Sequence, residues 1–120
     1  MGLTAQIANY IVSAKFEDFT PNAVFAARHG IIDCIACALA GAKEDLTGIL
    51  VGFAQDTGSG VARATLIGQG MKASAPMAAL VNGAMGHALD YDDIARPFKG
   101  HPSVVCLPPA LAVGEDVGAS

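Results

Sequence analysis

Tryptophan is absent from this chain, and aromatic rings of any kind make up only 6% of its 120 residues. A site that stacks bases on aromatic platforms has little to work with here. Charge is scarce too, at 15%, and the net value is −4. A nucleic-acid footprint needs a basic face, so no nucleic-acid partner is expected. An anionic ligand would have to be drawn in by local cations, because the global field does not attract it. Low charge does not mean disorder in this chain. Hydrophobic residues reach 52%, ample material for a core. Small residues dominate that material and suit close helix packing, and the length allows one domain at most.

There are three cysteines. Cys34 and Cys37 form a C-x-x-C inside an Ala/Ile run, and Cys106 stands alone. A redox or zinc reading needs a βαβ context or a second ligand pair, and the sequence offers neither. On a helix the two are neighbours, and small apolar Cys packs well, so packing is the expected role. The most apolar run, GIIDCIACALAG from Gly30 to Gly41, is short and carries Asp33, whereas a membrane span needs roughly 20 apolar residues. The first residues lack the basic start and long apolar stretch of a secretory signal. No membrane partner is expected, and a cytoplasmic location is the default.

Periodicity predicts a mainly helical, all-α chain with one short extended or β-hairpin segment near 61–68. Ile7, Tyr10 and Ile11 mark a helix from Leu3 to about Lys15. Thr20 and Pro21 read as N-cap and first position of a second helix ending at Gly41. It is apolar on nearly all sides and thus a buried helix, with His29 a satisfied core or boundary residue. A third helix runs from Asp45 to about Ala54, weakened by Gly48 and Gly52. DTGSG is a turn, VARATLIG (Val61 to Gly68) a strand or extended segment, and GQGMK a further turn without the spacing of a nucleotide loop. Ser74 and Pro76 open a fourth helix through APMAALVNGAMGHAL, and Pro97 and Gly100 stop it from continuing. Pro102 opens a fifth, where Pro108 and Pro109 imply a kink or an interruption. These helices carry more apolar surface than they can bury among themselves, which suggests part of something larger or an obligate partner.

Against this apolar background, NGAMGHALDYDDIARPFKGHPSVV (Asn82 to Val105) concentrates the ionisable groups. Gly83, His87 and Asp90 share a helix face, so His87 and Asp90 can touch. Asp90, Asp92 and Asp93 gather at a helix C-terminus, where the macrodipole disfavours carboxylates. His101 sits at a helix start, where the dipole disfavours a positive ring and suits a neutral base or hydrogen-bond donor. Gly100 leaves room for a ligand, and Arg96 and Lys99 are cations able to hold a carboxylate. An EF-hand starting at Asp90 fails, since Ile94, Ala95 and His101 occupy positions that need an oxygen ligand, Gly and Glu. His87, Asp90, Asp92 and His101 are legitimate ligands for a divalent metal but match no defined metal motif. Ser103 next to His101 is a poor nucleophile candidate, with no G-x-S-x-G around it. A solvated acidic loop is the plain alternative.

AALVNGAMGHALDYDD, followed by GHPSVV and a Pro/Ala-rich helix, resembles the MmgE/PrpD family of 2-methylcitrate dehydratases, cis-aconitate decarboxylases and iminodisuccinate epimerases. GIIDCIACALAGA and ATLIGQGMKASAPMAALVNG also resemble that family, so the likeness covers the chain from about Thr20 onward. It implies a large helical domain with a smaller α+β lid, a homodimer, no metal or organic cofactor, and a small di- or tricarboxylate substrate. It further implies that residues 1–120 are the first part of the helical domain, without the lid. The chemistry implied is a proton moved next to a carboxylate, in loss of water, loss of carbon dioxide or epimerisation. The motif match assigns Asp90 and His101 as catalytic. From charge and position, His87, Arg96, Lys99 and Ser103 are expected to support or bind substrate. Ile94 stands where some members have an active-site Thr, and the loop before HPS is one residue longer than in decarboxylase-like members. The expected activity is that of a dehydratase-like lyase on an acid such as 2-methylcitrate. A decarboxylase or epimerase of the same family is one alternative. A catalytically inactive piece acting as a helical association module is another, because the later His and Lys groups of the family lie beyond this chain.

Overall fold

The computed structural model describes residues 2–58, 60–96 and 99–119. Ser59, in the expected turn at 56–60, and Pro97, the expected helix breaker, lie outside the described residues. The described chain is mainly helical, with one small antiparallel hairpin, as the periodicity predicts.

Helix α1 (Leu3–Ser13) ends before the expected Lys15 and gives way to a short 3₁₀ turn at Phe16–Asp18, where Asp18 accepts the Lys15 N–H at 2.9 Å. No residue of α1 is buried. Its Ile7 and Ile11 stripe faces outward, and the radius of gyration, 15.5 Å, exceeds the roughly 13.6 Å of a compact domain of this length.

Helix α2 (Pro21–Gly41) begins as expected: Thr20 Oγ1 accepts the Ala23 N–H at 3.2 Å, with Pro21 at the first position. Its 21 residues are long and apolar enough to cross a membrane by length and composition, which the shorter run read from the sequence concealed. Cys34, Cys37, Ala38 and Gly41 are nevertheless buried in a helix that packs on two neighbours, α4 and α5, while Phe25, Ile32 and Leu39 remain exposed. The expectation of burial on nearly all sides therefore holds for one face only. Burial pushes the Cys34 thiol up to about 11, with smaller contributions from Cys37 and nearby carboxylates, so it stays protonated and packs as a small apolar group.

Helix α3 (Asp45–Thr57) runs past the expected end at Ala54 despite its two glycines. Buried Thr47 donates its hydroxyl to the Gly41 carbonyl at 2.7 Å, a second donor to an acceptor at the end of α2 that also takes the Glu44 N–H at 3.1 Å. Strands β1 (Ala64–Leu66) and β2 (Met71–Ala73) pair antiparallel, Ala64 opposite Ala73 and Leu66 opposite Met71. Only 67–70 form the turn, so Met71 and Lys72, read from the sequence as turn residues, belong to the second strand.

Helix α4 (Ala75–His87) is the centre of the fold, packing on α2, α3, α5 and both strands. Its small residues permit this. A Cβ at Gly86 would sit 2.8 Å from Val104 Cγ1 of α5, and one at Gly41 of α2 would overlap the Met85 carbonyl. Buried Asn82 docks the hairpin: Oδ1 accepts the Ile67 N–H at 2.9 Å and Nδ2 donates to the Thr65 carbonyl at 2.8 Å. Helix α5 (Pro102–Val117) runs through Pro108 and Pro109 without interruption, which leaves the kink as the one of the two expectations still open to them. Buried Pro108 packs near Gly83 of α4, and the Val104 carbonyl, which it leaves without a helical donor, lies close to the same glycine.

Replacing Asn82 by Ala strips two backbone groups of the hairpin of their partners, a loss of about 2 kcal/mol or more. Urea denaturation followed by circular dichroism is expected to show that loss. A midpoint equal to wild type would mean the hairpin does not depend on this side chain.

Candidate active site

Three consecutive segments build the site: the end of α4, the loop from Ala88 to Gly100, and the start of α5. Helix α4 stops at His87. The Asp90 N–H bonds back to the His87 carbonyl at 3.1 Å, and Asp90 adopts a left-handed φ of 54°, a conformation that aspartate tolerates better than most residues. That reversal breaks the helical spacing on which a His87–Asp90 contact was expected. His87 Nδ1 instead donates to Asp92 Oδ1 at 2.9 Å.

Asp92 is the centre of the cluster. Its side chain is 0% exposed, while those of His87 and Asp90 are 49% and 78% exposed. Its second oxygen, Oδ2, lies 3.1 Å from His101 Nδ1. Both atoms are buried, and the pair is too poorly aligned to count as a hydrogen bond. His101 Nε2 lies 3.6 Å from Asp90 Oδ1 on the more open side, and the two imidazoles meet edge to face at 4.6 Å. His101 is the N-cap residue of α5, the helix start read from the sequence. The carboxylates facing it on both sides were not foreseen by the dipole argument alone.

The remaining expected residues divide. Ser103 gives its hydroxyl and its N–H to the carboxylate of Asp93. Arg96 and Lys99 are exposed on the loop, and among the described residues no ion pair engages either. Ile94 is exposed. The four groups His87, Asp90, Asp92 and His101 each offer an atom within 4.8 Å of the others, so the set considered for a metal does converge. Asp93 had no role assigned in the sequence reading, and Asp92 was considered only as a candidate metal ligand. Their adjacency was visible, but not that one would turn inward to two histidines and the other toward α5.

With the geometry in place, comparison with known proteins gives one family. A model of the MmgE/PrpD N-terminal domain matches residues 5–120. The chain belongs to the MmgE/PrpD family. It is 30% identical over 118 residues to cis-aconitate decarboxylase of Aspergillus terreus, and 26% identical over 113 residues to the cis-aconitate decarboxylase-like protein oryM of Aspergillus oryzae. Those alignments cover 95% and 94% of this chain but only 23% of either relative. The MmgE/PrpD match thus takes in the whole cluster from His87 to Ser103 and extends far beyond the motif, over residues 5–120.

The Asp92 hydrogen bond raises the His87 pKa above its ordinary 6.5, against a smaller opposing effect of burial. A raised folded value means the pair stabilises the fold fully below pH 6.5, and the contribution is lost as pH rises through the folded value. The difference in thermal midpoint between wild type and His87→Gln should be widest in mild acid and close toward alkaline pH. A difference independent of pH would show that the pair is not formed in solution.

Proposed function

We propose that this chain forms one wall of a lyase site for a small di- or tricarboxylic acid. The observation that carries the reading is the arrangement of His101: Nδ1 faces buried Asp92, and Nε2 faces Asp90 and the open side. A histidine with one nitrogen set 3.1 Å from a buried carboxylate turns the other toward a substrate. His101 is then the acid–base group, moving a proton at a carbon next to a substrate carboxylate. Asp90, 3.6 Å away, shares or orients that proton. His87 supports the centre by holding Asp92. Arg96 and Lys99 are the cations on this wall available to substrate carboxylates.

The names of the two relatives favour cis-aconitate, with loss of carbon dioxide, over dehydration of 2-methylcitrate. The small unsaturated tricarboxylate suits a site whose first requirement is proton exchange beside a carboxylate. The wall is completed by chain outside this domain, in a homodimeric cytoplasmic protein. The test is turnover of a panel of citrate-like acids by the protein carrying this domain. Replacing His101 or Asp90 by Ala is expected to lower kcat by about a hundredfold or more. Turnover close to wild type in both variants would remove the assignment.

A second reading uses the convergence of the four donors within 4.8 Å and gives the same residues to a divalent cation. Elemental analysis of protein purified without chelator separates the two. The acid–base reading expects no stoichiometric metal, and one zinc per chain that disappears in His101→Ala would establish the other.

A further inference from the structure

His101 stands between two clamps. On one side, the Gly100 carbonyl accepts the Ala95 N–H at 2.9 Å. On the other, the Ser103 N–H donates to Asp93 Oδ1 at 3.1 Å and the Ser103 hydroxyl to Asp93 Oδ2 at 2.9 Å. Pro102 opens α5 and has no N–H, so Ser103 presents the first free donor of the helix. The side chain at the N-cap position ordinarily accepts such a donor. His101 holds that position and makes no side-chain cap bond. Asp93 makes the bond instead, from ten residues upstream.

We propose that Asp93 is a positioning residue that caps α5 in place of His101 and so leaves the imidazole free to face Asp90 and Asp92. Its catalytic consequence rests on the lyase reading above; the geometry does not. Helix α2 backs the clamp, since a Cβ at Gly30 would lie 3.0 Å from Ser103 Oγ. Gly30→Ala therefore displaces the hydroxyl while leaving the Ser103 N–H on Asp93. Three variants grade the clamp: Asp93→Ala removes both bonds, Ser103→Ala removes one, and Gly30→Ala crowds the hydroxyl that makes that one. Asp93→Asn keeps both, with its amide oxygen accepting the N–H and its NH₂ donating to the hydroxyl.

The experiment is NMR on the isotope-labelled chain at alkaline pH, so that imidazole shifts report geometry rather than charge. In Asp93→Ala the His101 ring resonances are expected to move. Exchange of the Ser103 amide should rise about tenfold or more, while the amides of α3 stay as they were. Ser103→Ala and Gly30→Ala should give smaller shifts in the same direction, and Asp93→Asn should restore the wild-type positions. If Asp93→Ala fails to fold, the ordering of the other three variants decides. The proposal is overturned if His101 is unmoved in Asp93→Ala. It is equally overturned if Asp93→Asn moves His101 as far as Ala does, because charge and not capping would then be acting. In turnover, Asp93→Ala should lower kcat about tenfold or more with KM little changed, and Asp93→Asn should recover most of it. Absence of turnover in the wild type counts against the lyase reading alone and leaves the spectra to judge the clamp.

Discussion

The site depends first on how closely α4 approaches α2 and α5. A carboxylate and two imidazoles can be gathered only if the end of α4 and the start of α5 lie almost in backbone contact. Gly86 against Val104 and Gly41 against the Met85 carbonyl provide that distance. The shortage of bulky side chains noted in the sequence is therefore a geometric requirement. An aromatic core would hold these helices farther apart. The cost is a thin interior whose largest buried side chains are Leu66, Met85 and Val81. Polar bonds supplement it: Thr47 adds a second donor at the end of α2, and Asn82 pairs two backbone groups of the hairpin.

The electrostatic centre follows from that packing. The Asp92 side chain is fully buried and lies against both histidines: His87 donates a hydrogen bond to one oxygen, and His101 Nδ1 stands 3.1 Å from the other without forming one. The ring of His101 is held on its buried side and left accessible on the other. Asp93, next in sequence, turns the opposite way and ties down the backbone that carries His101. Two adjacent carboxylates thus divide the work, one orienting the imidazole directly and one through the helix start.

Much of this was legible in the residues. Thr20-Pro21 and Pro102 marked helix starts by simple chemistry, and both lie where expected. The density of ionisable groups between Asn82 and Val105 marked the site, and the motif identified the family. What could not be read depends on how the backbone leaves a helix. Spacing placed His87 beside Asp90, but the left-handed turn at Asp90 carries that residue off the helical face and brings Asp92 in. Alternation at 61–68 showed one strand, while its partner at Met71–Ala73 had no hydrophobic pattern of its own and is fixed by tertiary pairing. The small apolar Cys34 and Cys37 were legible as packing residues. The open outer face of α2 was not, because a helix apolar all round gives no sign of which side its neighbours occupy.

Helix α5 has a mechanical consequence rooted in Pro108 and Pro109. Neither residue can donate to the carbonyls of Val104 and Val105, so two successive rungs are missing between the first turn and the rest of the helix. The segment carrying His101 is therefore joined to the half of α5 that ends at Val117 by two fewer backbone hydrogen bonds than an unbroken ladder would supply. The distal half is tied to the hairpin instead, where Glu115 accepts the Thr65 N–H. Packing carries across the proline pair what the missing rungs do not: Val104 before it and Pro108 within it both lie against glycines of α4, so α4 holds the two halves of α5 in one line.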